Sequence, residues 1–238
     1  MKRQLVLSTS LLGIAALFGS NASAFADNAR SLGSAASAPS LGSTAKFAIL
    51  SAATGGNGAV TCTDASLKGS IGSSGARPAV VLTRCAQRGL VVAPVAPRVL
   101  ADFNQAYQAL EANACGRILT GTLAGISLAP GVYCFDDAAA LTGTLTLNGP
   151  SSGIWIFLIN GDLTGNSFNT VMAGSAQPCN VYWSPSGAAT MTTSNFKGNV
   201  LAGQAVTITG GSFIGRAFAT KAVTLTTVAA EGCGSLLR

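Results

Sequence analysis

The feature that most constrains this chain is a repeat near its C-terminal end. Residues 196–209 read FKGNVLAGQAVTIT, and residues 213–226 read FIGRAFATKAVTLT. The offset is 17 residues, and seven of the fourteen aligned positions are identical. A unit this short cannot hold a helical hairpin or a propeller blade, but it suits one coil of a β-solenoid. A single coil cannot bury its apolar side alone, so it must stack on its neighbours. Upstream, CNVYWSPSGAATMT at 179–192 follows the same plan if a two-residue insertion is allowed. Asn180-Val181 then matches Asn199-Val200, and Thr190-Met191-Thr192 matches Thr207-Ile208-Thr209. Side chains alternate along a strand. Val206, Ile208, Val223 and Leu225 are therefore assigned inward, and Thr207, Thr209, Thr224 and Thr226 outward. Gly198, Gly203, Gly210, Gly211 and Gly215 suit corners with unusual backbone angles.

One segment breaks the alternation. Residues 154–159 read IWIFLI, apolar on both sides, and such a strand needs cover on both faces. Residues 98–114 supply that cover. Val99, Phe103, Ala106 and Leu110 recur at helical spacing, and Pro97 sits where a helix start tolerates proline. The pattern predicts one helix lying outside the solenoid, against the IWIFLI strand.

The N-terminal region reads as an export signal. Lys2 and Arg3 precede an apolar stretch from Leu5 to Phe18, and Ala22, Ala24 and Ala26 offer cleavage sites after Ala24 or Ala26. Residues 1–26 are thus the signal, residues 27–40 a small, polar, flexible leader, and residues 41–238 the folded domain. No other stretch is apolar enough to span a membrane, so no span is expected in the mature chain. Six cysteines (Cys62, Cys85, Cys115, Cys134, Cys179 and Cys233) behind an export signal read as three disulfides. Sequence alone permits 15 connectivities. The chain contains no histidine and no CxxC, so neither a metal nor another cofactor is expected. Its formal charge of +6 falls to +4 once Lys2 and Arg3 are removed. Arg77, Arg84, Arg88 and Arg98 form only a modest basic cluster, without the stacking aromatics of a nucleic-acid interface.

The ordered string LGSTAKFAIL (41–50), DFNQAYQAL (102–110), LAPGVYCF (128–135), LTGTLTL (141–147), IWIFLI (154–159), CNVYW (179–183) and FKGNVLA (196–202) resembles the microbial ice-binding family of bacteria, diatoms and fungi. The resemblance covers residues 41–228. It implies a mostly β fold: an irregular right-handed parallel β-solenoid of triangular section with one long α-helix packed alongside. It also implies a flat face that binds ice and no enzyme activity. The sequence departs from the family over residues 60–97, where Cys62 and Cys85 bracket the chain. The early coils are therefore read as remodelled, and no binding residues are assigned there.

The ice-binding candidates are the Thr-x-Thr pairs Thr144/Thr146, Thr190/Thr192, Thr207/Thr209 and Thr224/Thr226. Residues two apart in a strand lie about 6.5–7 Å apart, and stacked strands about 4.7–4.9 Å apart. Such pairs make a two-dimensional array of hydroxyls and methyls on stiff side chains. Threonine also favours exposed strand positions for ordinary reasons, so the resemblance decides the assignment. A second motif at the neighbouring corner resembles a Thr–small–x–Thr/Asn pattern of the family's ice faces, and the resemblance adds Thr164, Ser167, Asn195 and Ser212. The disulfides are expected to join Cys62 to Cys85, Cys115 to Cys134 and Cys179 to Cys233. The second ties the helix end to the strand carrying Tyr133, and the third pins the C-terminal tail to the stack.

The sequence thus predicts a secreted, monomeric, ice-binding protein, extracellular or periplasmic, whose partner is an ice surface. The alternative is an adhesion module that binds polysaccharide or cells without ice activity. Trp155 and Trp183 lie in apolar strands that read as core, which leaves few aromatics for a sugar-binding face. Without histidine the common Ser-His-Asp and Cys-His arrangements are impossible. Asp136, Asp137 and Asp162 read as solvated loop acids rather than a glycosidase pair.

Overall fold

The computed structural model describes residues 36–233. The residues read as an export signal, most of those read as a leader, and residues 234–238 lie outside the described residues. Of the leader, residues 36–40 form no regular element, and the Ser37 amide donates to Asn113 Oδ1 at 3.1 Å.

The strands stack as coils into two long sheets, and neighbouring strands run parallel throughout. The nine-stranded sheet runs, in spatial order, from Val91–Val92 through Ser70–Ser73, Phe47–Ser51, Ala217–Ala219, Asn199–Ala202, Val181–Pro185, Trp155–Ile159 and Gly131–Phe135 to Arg117–Ile118. The eleven-stranded sheet runs from Val80–Thr83 through Val60–Thr63, Val223–Thr226, Val206–Ile214, Ala189–Lys197, Leu163–Gly174 and Ala139–Gly149 to Ile126–Leu128. Three short strands, Ala229–Glu231, Ser66–Lys68 and Ala86–Arg88, branch from it. Chain order and spatial order differ at one place. The N-terminal strands Phe47–Ser51 and Val60–Thr63 pair with the C-terminal strands Ala217–Ala219 and Val223–Thr226. The first residues of the domain therefore complete the stack beyond its last coil.

The 17-residue repeat is structural as well as sequential, since Phe196 lies beside Phe213 and Val206 beside Val223. The two-residue insertion expected upstream is not present. Tyr182 pairs with Asn199 and Trp183 with Val200, so the coil holds a 17-residue offset from its beginning. Asn199 misled the alignment because its side chain reaches back to the Cys179 and Val181 carbonyls, at 2.8 and 3.1 Å. It answers a local polar need rather than marking an equivalent position.

Val206, Ile208, Val223 and Leu225 are all buried, in line with the alternation. A file of rings runs down the interior through Tyr133, Phe157, Trp183, Phe196 and Phe213, with successive centroids 5.5, 3.8, 5.1 and 6.2 Å apart. Trp155 and Trp183 are both fully buried. Each indole N–H finds a carbonyl at 3.1 Å, Leu128 O and Lys197 O respectively, which removes the cost of an unpaired donor.

A single α-helix, α1 (Pro97–Glu111), covers the nine-stranded sheet. Its buried residues are Val99, Phe103, Ala106 and Leu110, the four that carry the helical period. They pack on Phe47, Leu50, Ile156, Leu201 and Phe218. The IWIFLI strand is covered on both sides, as its sequence requires: Trp155, Phe157 and Ile159 face the solenoid interior, and Ile156 faces the helix. The helix stops before residue 114 because the Asn113 side chain donates to the Ala109 and Leu110 carbonyls, at 2.9 and 3.1 Å. Near the helix start, Asp102 accepts from the Ser43 amide and hydroxyl at 2.7 and 2.6 Å, and these bonds hold its carboxyl below the usual range. Among the described residues no helix is long and apolar enough to cross a membrane.

The disulfides join Cys62 to Cys85, Cys115 to Cys134 and Cys179 to Cys233. They tie, respectively, two coils at one end, the segment after α1 to the stack, and the C-terminal tail to the stack. Phe103 is 1% exposed and meets Phe218 edge-on at 6.4 Å. Phe103→Ala is expected to cost about 3–5 kcal/mol, measured by denaturant unfolding with the disulfides intact. A cost below about 1 kcal/mol would mean that the helix contributes little to the core.

Candidate functional site

The eleven-stranded sheet is not one plane. Its coils carry a residue with positive φ at the same place: Gly143, Ser167, Thr193, Gly210, Thr227, Asp64 and Arg84. Five of these are not glycine, and a left-handed backbone at such residues is sparse and strained. The corners stack on one another. The Thr227 amide donates to Thr63 O and the Asp64 amide to Thr83 O, both at 3.0 Å. This row folds every coil at the same point and divides the sheet into two sides.

On the side before the corner, register places the outward residues in two columns. The first runs Ala140, Thr164, Thr190, Thr207, Thr224, Thr61 and Val81. The second runs Asn166, Thr192, Thr209, Thr226, Thr63 and Thr83. Each column holds five consecutive threonines. Behind them the inward positions are filled by Leu163, Ala189, Val206, Val223 and Val60, and by Met191, Ile208, Leu225 and Cys62, all buried. With strands about 4.8 Å apart and columns about 6.6 Å apart, the threonines form a regular two-dimensional lattice. Thr164 Oγ1 donates to Ala139 O at 3.3 Å. The other column hydroxyls make no side-chain hydrogen bond among the described residues and are left for water. Neither column contains an ionisable residue, so nothing in the lattice titrates.

The structure thus brings together Thr164, Thr190, Thr192, Thr207, Thr209, Thr224 and Thr226. It separates the remaining candidates. Thr144 and Thr146 lie opposite Asn169 and Val171, past the corner. The register between their strand and its neighbour shifts between Leu141 and Gly143, and the positive φ of Gly143 turns the chain there. Their Thr-x-Thr spacing is the same, but their side is not. Ser167 occupies the corner itself. Asn195 and Ser212 lie beyond it and bond to each other, with Ser212 Oγ donating to Asn195 Oδ1 at 2.8 Å. This side past the corner, the third of the stack after the nine-stranded sheet and the threonine side, also carries charge. Lys68 Nζ lies 3.3 Å from Glu231 Oε2. Lys197 Nζ donates to Thr170 O at 2.6 Å, and burial lowers its pKa.

Three lattice threonines come from the region that the sequence reads as remodelled. Thr61, Thr63 and Thr83 continue both columns past Thr224 and Thr226. The signal was present: VTCT at 60–63 has the pattern of VTIT at 206–209 and VTLT at 223–226. Cys62 disguised it by standing in the inward slot that Ile208 and Leu225 fill elsewhere. Asn166 belongs to the second column as well and was missed as a lattice residue.

Residues 32–230 match the Ice-binding-like family, and the chain belongs to that family. It is 30% identical over 181 residues to an ice-binding protein of Flavobacterium frigoris, covering 68% of this chain and 64% of that protein. It is 35% identical over 176 residues to an ice-binding protein of a Nostoc species, covering 71% of this chain and 63% of that protein. The chain therefore spans somewhat less than two thirds of the length of these relatives. Among solved structures, the domain of Shewanella frigidimarina ice-binding protein 1 superposes with a TM-score of 0.70 at 28% identity, covering 82% of this chain and 98% of that one.

The flatness of the lattice depends on where the coils turn. At Gly211, with φ of 72°, an added Cβ would run into the Ser194 carbonyl. At neighbouring Gly210 the nearest atom is 3.6 Å away, and asparagine tolerates a left-handed backbone. Gly211→Ala is expected to cost at least about 1–3 kcal/mol. Gly210→Asn is expected to cost under about 1 kcal/mol. Thermal unfolding of both variants measures the difference, and equal costs would contradict the corner's role.

Proposed function

We propose that this protein is exported and binds ice through the two-column threonine lattice. The observation that carries this reading is the lattice itself: five consecutive threonines in each of two columns, backed by buried aliphatic residues and free of charge. Each threonine presents a methyl that excludes disordered water and a hydroxyl that holds an ordered one, on a side chain with few rotamers. A flat array of this kind has the character of a crystal surface, and contact extends over the whole patch. Family membership and relatives named ice-binding proteins support the same reading, and the three disulfides suit an oxidising compartment outside the cytosol. The lattice offers neither a cleft nor an ionisable pair, which supports binding without catalysis. The burial of Trp155 and Trp183 withholds the aromatic platforms that a polysaccharide-binding adhesion module would use.

The third side serves as the internal control. Thr209→Tyr and Thr226→Tyr are expected to leave the melting temperature nearly unchanged, because both side chains point outward. Each should abolish partition of the protein into growing ice and inhibition of recrystallisation, since one bulky ring lifts the lattice off the crystal. Thr144→Tyr, past the corner, should do neither. Full ice partition by folded Thr209→Tyr and Thr226→Tyr would discard this face, and absence of ice activity in the unmodified protein would leave adhesion as the better account.

A further inference from the structure

Among the described residues, no strand pairs beyond either end of the coil stack. Among the described residues, Val80–Thr83, Ala86–Arg88 and Val91–Val92 pair on one side only, and so do Arg117–Ile118 and Ile126–Leu128 at the opposite end. Open parallel edges are templates for another strand. The large apolar side chains exposed among the described residues are Val81 (47%), Leu90 (73%) and Ile118 (58%), and all three belong to these end coils. Leu90 leads into the terminal strand of the nine-stranded sheet at one end, and Ile118 sits in its terminal strand at the other. One sheet thus presents an exposed aliphatic residue at both of its edges.

Charge distinguishes the ends. Residues 77–92 contain Arg77, Arg84 and Arg88 and no acid. Arg84 is held by Asp64, whose Oδ2 accepts from Nη2 at 2.7 Å. At the other end Asp136 and Asp137 are exposed beside Ile118 and Thr122, with Arg117 as the one base nearby. The contrast follows a single corner of the stack, where the nine-stranded sheet turns into the threonine side. Its backbone is joined from Gly161 to Gly187 to Gln204 to Lys221, at 2.9, 3.1 and 3.4 Å. Asp136, Asp137 and Asp162 stand at one end of this corner column, and Lys221 and Arg77 at the other.

We propose that the two ends are complementary docking surfaces for a second copy of this chain, joined head to tail. A copy translated along the stack axis presents its edge strands in the same direction, so parallel pairing continues. It also sets Arg77 of one copy against Asp136 and Asp137 of the next, and Leu90 near Ile118. A two-fold arrangement would instead oppose like charges and antiparallel edges. A head-to-tail contact of this kind does not close, so it builds short linear arrays in which the threonine lattices of successive copies face the same way. This revises the expectation of a monomer and does not depend on the ice reading.

Sedimentation velocity on the secreted chain tests it, over a concentration series at low ionic strength and again in high salt. Association should grow with concentration and weaken with salt, which screens exposed charges. Arg77→Glu sets like charge against Asp136 and Asp137 of the next copy, and the double variant Asp136→Lys with Asp137→Lys sets like charge against Arg77. Each alone should raise the dissociation constant about tenfold or more. An equimolar mixture of the two should associate again, which also shows that both are folded. A monomer at every concentration, as when residues of the leader cover an end, would overturn the proposal. So would association unaffected by the charge reversals, or a mixture that stays monomeric.

Discussion

Parallel stacking in register, with side chains alternating in and out, is the constraint on which the rest of this molecule depends. Val206, Val223 and Val60 lie side by side, as do Ile208, Leu225 and Cys62. A slip of one residue in any coil would bury its threonines and expose its aliphatics. The core therefore fixes the outer surface. The threonines stand in straight columns because the residues between them must stand in straight columns to be buried. The N-terminal strands obey the same rule although they are far away in sequence, which is why Thr61 and Thr63 fall into line with Thr224 and Thr226.

The second constraint is the row of left-handed residues that folds each coil. It limits the lattice to two columns and turns the rest of each long strand toward another side. The two sides then diverge in chemistry. Before the corner the outward residues are repeated and uncharged. After it they vary from coil to coil and include Lys197, Glu231, Lys68 and Arg88. Repetition without charge suits a crystalline partner, which offers the same contact at every step. A mixed and ionic surface has no such match, and ordinary solvation accounts for it.

Much of this was legible in the sequence, and the misses have local causes. The repeat gave the coil, the alternation gave its faces, and the helical period of Val99, Phe103, Ala106 and Leu110 gave the cover for IWIFLI. The corner was legible at Gly210, but not at Ser167, Thr193 or Thr227, because left-handed backbone at such residues is imposed by the stack rather than by local preference. Without the corner, Thr144 and Thr146 looked equivalent to Thr207 and Thr209. Residues 41–75 were expected to complete the solenoid out of sequence order, and the pairing of the first coils with the last bears this out. Cys62 then hid the one tetrapeptide that repeats the lattice motif.

Thr63 offers the most direct test, because its place in the lattice follows from the fold and not from any repeat adjacent in sequence. The measurement is the fraction of protein taken up by a growing ice hemisphere for Thr63→Tyr and Thr209→Tyr, each verified as folded by its melting temperature. If one continuous face spans the N-terminal and C-terminal coils, both variants lose ice uptake to the same extent. Full uptake by Thr63→Tyr alongside loss in Thr209→Tyr would break the face between those coils and contradict the account.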